Sequence, residues 1–255
     1  MNFITIKNCK IGTGMPKICL PIVGKTTEEI CQQARSFSDY PCDLAEWRVD
    51  WFADVMDFAQ VEKTAQALRA VLPDTPILMT FRTKEEGGER SISSADYIRL
   101  NCFAARSGLV DALDVELFRG DAVVREIISC AHEQGIAVVV SNHNFTETPA
   151  QADIVSRLQK AQALGGDILK IAVMPQTAQD VLTLLAATEE AHRLCSQPLI
   201  TMSMGPLGAV SRISGEVFGS AVTFGAAGKA SAPGQLSADS LHQILSTLHI
   251  ESENR

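Results

Sequence analysis

Eight short apolar runs recur along this chain at intervals that leave room for a helix between each run and the next. That rhythm restricts the fold more than any other feature. The runs cover residues 17–23, 43–49, 76–81, 111–117, 136–141, 167–173, 198–203 and 221–224, and their starts lie 23 to 35 residues apart. Most are almost continuously hydrophobic, the pattern of strands covered on both faces of a parallel sheet, whose connections need a crossover helix. Helix signals fill the gaps. Thr26 followed by Glu29 reads as a capping box, and Thr148-Pro149 with Gln151 combines an N-cap, a proline at the first helical position and a second box. Gly135 stands where a helix would end in the left-handed region, and Val181, Leu182, Leu184, Leu185, Ala187 and Ala191 have amphipathic spacing. Residues 3–13 alternate and predict a short hairpin ahead of the main fold. Eight βα units in 255 residues is the size of a (β/α)8 TIM barrel, here a single catalytic domain spanning 1–255. A doubly wound open sheet competes, but its Gly-x-Gly-x-x-Gly turn is absent.

Net charge is −8 with no basic tract, so nucleic acid and anionic membranes are poor partners and an anionic ligand must be held by a few local arginines. No run is long and apolar enough to span a bilayer, and residues 1–10 lack the layout of a signal peptide, so the expectation is a cytoplasmic protein. Seven scattered cysteines without a Cys-x-x-Cys pair argue against a disulfide framework or zinc knuckle; they read as interior hydrophobes. No spacing of His, Asp and Glu resembles a metal site, and His132, His192, His242 and His249 fall in helical stretches where surface positions are expected.

In a barrel of this kind the chemistry lies at the C-terminal ends of the strands. Lys170 interrupts the apolar run 167–173; a lysine buried there is either paired with a carboxylate, snorkelling to solvent, or desolvated into a nucleophile for a carbonyl. Other polar residues fall at comparable heights: Glu46 and Arg48 two apart, Arg82 before a loop with Glu86, Asp114 and Glu116 two apart, His143, and Arg212 after the seventh run. Glu46 with Arg48 could be a structural ion pair, and Asp114 and Glu116 read as supports for neighbouring cations. Met202 and Met204 read as apolar wall. The small-residue loop from Gly225 to Gln235 has the makings of a lid or a phosphate-binding loop. A buried lysine with a strand-end histidine, arginines and a carboxylate suits elimination next to a ketone, through an imine that acidifies the adjacent C–H bond, with no cofactor.

The segments Glu46-Trp47-Arg48-Val49-Asp50, Thr80-Phe81-Arg82 with Glu86-Gly87-Gly88, Ser141-Asn142-His143-Asn144-Phe145, Lys170-Ile171-Ala172-Val173-Met174-Pro175 and the stretch from Gly219 to Gln235 resemble type I 3-dehydroquinate dehydratase of the shikimate pathway, in order and over nearly the whole chain. The resemblance implies a barrel, usually a homodimer, that converts 3-dehydroquinate to 3-dehydroshikimate. It makes Lys170 the imine-forming residue, His143 the acid–base group and Glu86 its orienting partner. Arg212 would pair with the substrate carboxylate, Ser231 and Gln235 would close over it, Glu46, Arg48 and Arg82 would bind ring hydroxyls, and Met204 would pack on the ring. Asn144 and Pro21 differ from some members and receive no role. A Schiff-base aldolase or transaldolase on the same barrel is the alternative, though a phosphate-binding basic cluster is not visible near the eighth strand. A binding protein on a retired barrel would be expected to lack one of Lys170, His143 or Arg212.

Overall fold

The computed structural model describes residues 3–228 and 236–250. It opens with an antiparallel hairpin, β1 (Ile4–Ile6) and β2 (Cys9–Ile11), whose two-residue turn uses positive φ at Lys7. Eight parallel strands follow: β3 (Lys17–Ile22), β4 (Leu44–Arg48), β5 (Ile77–Thr80), β6 (Ala112–Glu116), β7 (Ala137–Asn144), β8 (Ile168–Val173), β9 (Leu199–Ser203) and β10 (Val222–Phe224). From β3 to β9 each is hydrogen-bonded to the next in chain order, and β10 returns to β3. A bridge between Leu199 and Ser220, with the Ala221 N–H donating to the Leu199 carbonyl at 2.7 Å, closes the ring beside β9. Helices α1 (Thr27–Arg35), α2 (Phe58–Val71), α3 (Ser94–Ser107), α4 (Asp121–His132), α5 (Gln151–Leu164) and α6 (Ala178–Leu194) connect successive strands, and α9 (Ala238–Leu248) follows β10. This is the (β/α)8 barrel with the expected hairpin.

Strand alternation sorts the barrel residues into two sets. Ile18, Leu20, Ala45, Trp47, Met79, Val115, Val140 and Ile171 face outward and share a core with the helices. The inward positions begin with one residue from each strand, Cys19, Leu44, Leu78, Ala112, Val139, Ile168, Ile200 and Val222, which pack in a second apolar cluster with Ile6, Cys9 and Ile11 of the hairpin. The hairpin therefore stoppers the N-terminal end. At the start of alternate strands an aspartate locks the neighbouring strand in register: Asp43, Asp111 and Asp167 accept the backbone N–H groups of Ile18, Ile77 and Val138 at 2.7–2.8 Å.

Local expectations differ in four places. Thr26 caps α1 through the Glu29 N–H, but the Glu29 carboxylate returns to the Lys25 N–H rather than to Thr26. Helix α5 starts from Ala150 without a side-chain cap, because the Thr148 hydroxyl instead donates across to the Met174 carbonyl at 3.0 Å. After β9 the crossover is two short helices, α7 (Ala209–Ile213) and α8 (Gly215–Phe218), where one was expected. Strand β7 runs to Asn144, beyond the apolar run, because it stays paired with β8 up to Val173.

Candidate active site

Two residues above the apolar floor, the inward positions are Pro21, Glu46, Thr80, Asp114, Ser141, Lys170, Met202 and Phe224; two higher come Arg48, Arg82, Glu116, His143, Ala172 and Met204. Most of these line, and the rest support, a cavity of about 210 Å³ that Arg212, Phe145 and Met174 also border. Its polar groups come from β4, the segment just after β5, β7, β8 and, for Arg212, α7, while Pro21, Met202, Met204 and Phe224 supply an apolar side.

Lys170 is 4% exposed. Its Nζ lies 3.1 Å from Asp114 Oδ2, 3.5 Å from Glu46 Oε1 and 4.7 Å from the centre of the Phe224 ring. The carboxylates are themselves anchored: Thr80 donates to Glu46 Oε1 at 2.9 Å, and Ser141 and Arg82 donate to Asp114 Oδ1 at 2.6 and 2.8 Å. Burial pushes the Asp114 carboxyl up, but Arg82, Lys170 and the Ser141 hydroxyl outweigh it and hold the group below the usual carboxylate range.

His143 reaches its place because β7 outruns β6, whose pairing ends at Glu116 opposite Ser141. The unpaired His143 N–H donates to Glu86 Oε2 at 2.9 Å, and ring Nδ1 meets the same oxygen at 3.0 Å. A carboxylate oxygen that already accepts an N–H takes the proton of Nδ1 as well, which leaves Nε2 without a proton and free to act as a base. Burial, then the Arg82, Lys170 and Arg48 charges, hold the imidazole well below its ordinary pKa, so the ring is neutral near pH 7. Glu86 sits on a tight turn, Lys84–Glu86, that two glycines make possible. Gly87 has φ of 81°, and a β-carbon there would enter the Phe145 ring at 2.3 Å; one on Gly88 would lie 1.9 Å from the Arg82 carbonyl oxygen. Phe145 in turn stacks on His143.

The arginines differ in how fully they are paired. Arg48 forms a bidentate pair with Asp50, with both contacts at 2.8 Å. Arg82, expected as a group for ring hydroxyls, lines the cavity and is also bonded to Asp114, Glu116 and Ser141 and lies 3.6 Å from Glu86, so it ties the carboxylates together. Arg212, 4% exposed on α7, has no ion pair among the described residues, and its Nε is buried without a partner. Burial lowers its pKa. A buried guanidinium opening on a cavity is poised for an anion.

The structure thus brings Lys170, His143, Glu86, Glu46, Arg48, Arg82, Arg212 and Met204 to one end of the barrel; Ser231 and Gln235 lie outside the described residues. Asp114 and Glu116 support cations, as their spacing suggested. Ser141, Asn142 and Asp50, which stand in the segments quoted above without a role, and Phe224, which the sequence did not single out, are further components of the site; the inward parity of 139, 141 and 143 was the signal for Ser141. Asn144 instead caps its own turn, accepting from Thr146 and Glu147. Among the described residues no group of three His, Cys, Asp or Glu is disposed to hold a metal, and no helix is long and apolar enough to cross a membrane. The helical histidines are exposed, and every cysteine but the half-buried Cys42 is buried.

Comparison with known proteins adds a family. A model described as type I 3-dehydroquinase matches residues 18–252. The 3-dehydroquinate dehydratase of Listeria monocytogenes serotype 4a is 51% identical over 249 residues, covering 98% of this chain and 99% of its own. That of Klebsiella pneumoniae is 50% identical over 248 residues, covering 97% and 99%. The structure of the type I enzyme from Clostridium difficile with covalently modified comenic acid matches with a TM-score of 0.95 at 47% identity, over 97% of this chain and 98% of that one.

Proposed function

The chain belongs to the type I 3-dehydroquinase family, and we propose that it dehydrates 3-dehydroquinate to 3-dehydroshikimate through an imine on Lys170, with His143 moving the protons. The barrel serves as one catalytic domain. Attack on the ring ketone requires the neutral amine, and Asp114 at 3.1 Å and Glu46 at 3.5 Å are the acceptors in reach of the proton that leaves Nζ. Loss of water from the adduct gives the imine, whose positive charge acidifies the neighbouring C–H bond. His143 Nε2 removes that proton to leave an enamine, then returns a proton to the departing hydroxyl, and water hydrolyses the conjugated imine to release product and restore the amine. Glu86 keeps Nδ1–H oriented and stabilises the imidazolium between the two transfers.

What supports the covalent reading is the buried Lys170 amine opening on the same cavity as a neutral histidine and an arginine that has no counter-ion among the described residues. The remaining assignments follow the chemistry of each group: Arg212 takes the substrate carboxylate, Glu46 and Arg48 take ring hydroxyls, and Met204 packs on the ring. The Clostridium difficile relative with covalently modified comenic acid is in keeping with a covalent step. The scheme needs neither metal nor organic cofactor. A homodimer in the cytoplasm goes with the family resemblance, and sedimentation would test the assembly.

Borohydride added during turnover should reduce the imine and fix a substrate-derived adduct on Lys170, read by peptide mass mapping. An adduct on another lysine, or none while turnover continues, overturns the mechanism.

A further inference from the structure

One side chain on the outer face of β7 connects helix α5 to the carboxylate that holds His143. Asn142 lies between two inward residues, so alternation turns its amide away from the cavity, where it is 3% exposed. Arg157 Nη1, from α5, donates to Asn142 Oδ1 at 2.9 Å, and Asn142 Nδ2 donates to Glu86 Oε1 at 3.2 Å. A guanidinium has donors and no acceptor, so the amide can show Arg157 only its oxygen, and its NH2 is thereby turned to Glu86. We propose that Arg157 is a positioning residue for the dehydration: by fixing the Asn142 amide it keeps a donor on Glu86 Oε1, and so keeps Glu86 the ionised acceptor that His143 requires. The proposal rests on the roles given above to Glu86 and His143.

The geometry gives the donor its weight. Glu86 is buried and faces Arg82 just after β5, Asp114 and Glu116 from β6, and His143 from β7; the charges of Lys170 and Arg48 act on the imidazole. Burial, then the charge of Glu116, push its carboxyl up to about 7, while Arg82 and the Asn142 amide act downward. If the amide turned over, its oxygen would face Oε1, and protonation of Glu86 would relieve the clash of lone pairs. A protonated Glu86 no longer serves as the charged partner of His143. Arg157 is itself held, with Nη2 on Asp153 at 2.6 Å and its guanidinium over the Phe118 ring.

The sign follows: removing the donor raises the Glu86 pKa, so the acid limb of kcat/KM moves to higher pH. Profiles of kcat/KM for 3-dehydroquinate should be compared for the wild type, Arg157→Met, Arg157→Lys, Asn142→Leu, the Arg157→Met/Asn142→Leu double variant and Glu86→Gln. Arg157→Met should move the limb up by about half to one pH unit, a loss of about three- to tenfold below the limb. Arg157→Lys, which keeps a donor, should restore most of it. Asn142→Leu should reproduce the shift, and adding Arg157→Met to it should move the limb no further. An unmoved limb in Arg157→Met, or additive shifts in the double variant, overturns the proposal. If Arg157→Met folds poorly, Asn142→Leu alone decides, and an unmoved limb there overturns it too. Glu86→Gln should abolish the limb; a wild-type profile in that variant means that the roles of Glu86 and His143 fail, a failure distinct from that of Arg157.

Discussion

Two layers of the same barrel, only two residues apart on every strand, obey opposite rules. The lower layer, from Cys19 on β3 to Val222 on β10, is wholly apolar and is sealed by Ile6, Cys9 and Ile11. The layer above replaces Leu44 by Glu46, Ala112 by Asp114 and Ile168 by Lys170, with the same inward direction and a similar depth of burial. Nothing in the backbone distinguishes them. The difference is chemical: apolar packing stabilises at about 25 cal/mol per Å² removed from water, whereas the attraction within a buried ion pair is largely offset by the desolvation of its charges. The lower layer holds the barrel closed, and the upper one tolerates charges because each carboxylate has donors and Lys170 has two carboxylates. Substitutions should separate the two, with upper-layer changes acting on turnover and lower-layer changes on stability.

The largest effect expected is that of His143→Ala. Loss of a general base lowers rates by about 10² to 10⁴, and imine formation should survive because the amine is a different residue. Rapid-quench kinetics with borohydride trapping should find the adduct accumulating while product stalls. Turnover near the wild-type rate would show that another group is the base. Next comes Ile11→Ala in the stopper. Ile11 is fully buried against the barrel floor, and such truncations cost about 2–5 kcal/mol. Denaturant unfolding should show the loss while KM for 3-dehydroquinate stays unchanged. A shifted KM would mean that the two layers are not independent.

This division also governs how far the sequence could be read. The lower layer and the outward residues make the apolar runs, so the strands and the barrel are legible from the spacing of those runs; Lys170 stands out because it interrupts such a run. The last turns of β7 are not legible in that way. Ser141, Asn142, His143 and Asn144 are polar, and a strand made of them looks like a loop until its pairing with the apolar β8 is known. The roles of Arg82 and Arg212 are equally hidden. Only three-dimensional neighbours reveal that one is paired with Asp114 and Glu116 while the other has no ion pair among the described residues. Thr148 shows the same limit at a helix start, where a correct capping pattern lost to a tertiary partner, the Met174 carbonyl.

Arg212 supplies the smallest and sharpest test of the comparison, because it is a charge at the cavity, on α7, that no described residue neutralises. Its helix is docked by Ser211, whose hydroxyl accepts the Ser203 N–H at 2.9 Å at the end of β9, so the guanidinium borders the cavity with little freedom to withdraw. Without a substrate its burial is uncompensated; with a carboxylate it gains a planar, charge-assisted pair. Hydrogen bonds of that kind contribute about 1.5–3 kcal/mol, so Arg212→Lys, which substitutes a point charge for the fork, should raise KM by about ten- to a hundredfold with kcat much less affected. Thermal stability should not fall, since the side chain satisfies no partner of the folded chain among the described residues. Steady-state kinetics and a melting curve on the same preparation read both outcomes. An unchanged KM would remove the carboxylate role, and a marked drop in melting temperature with KM intact would move Arg212 to the set of residues that hold the barrel together.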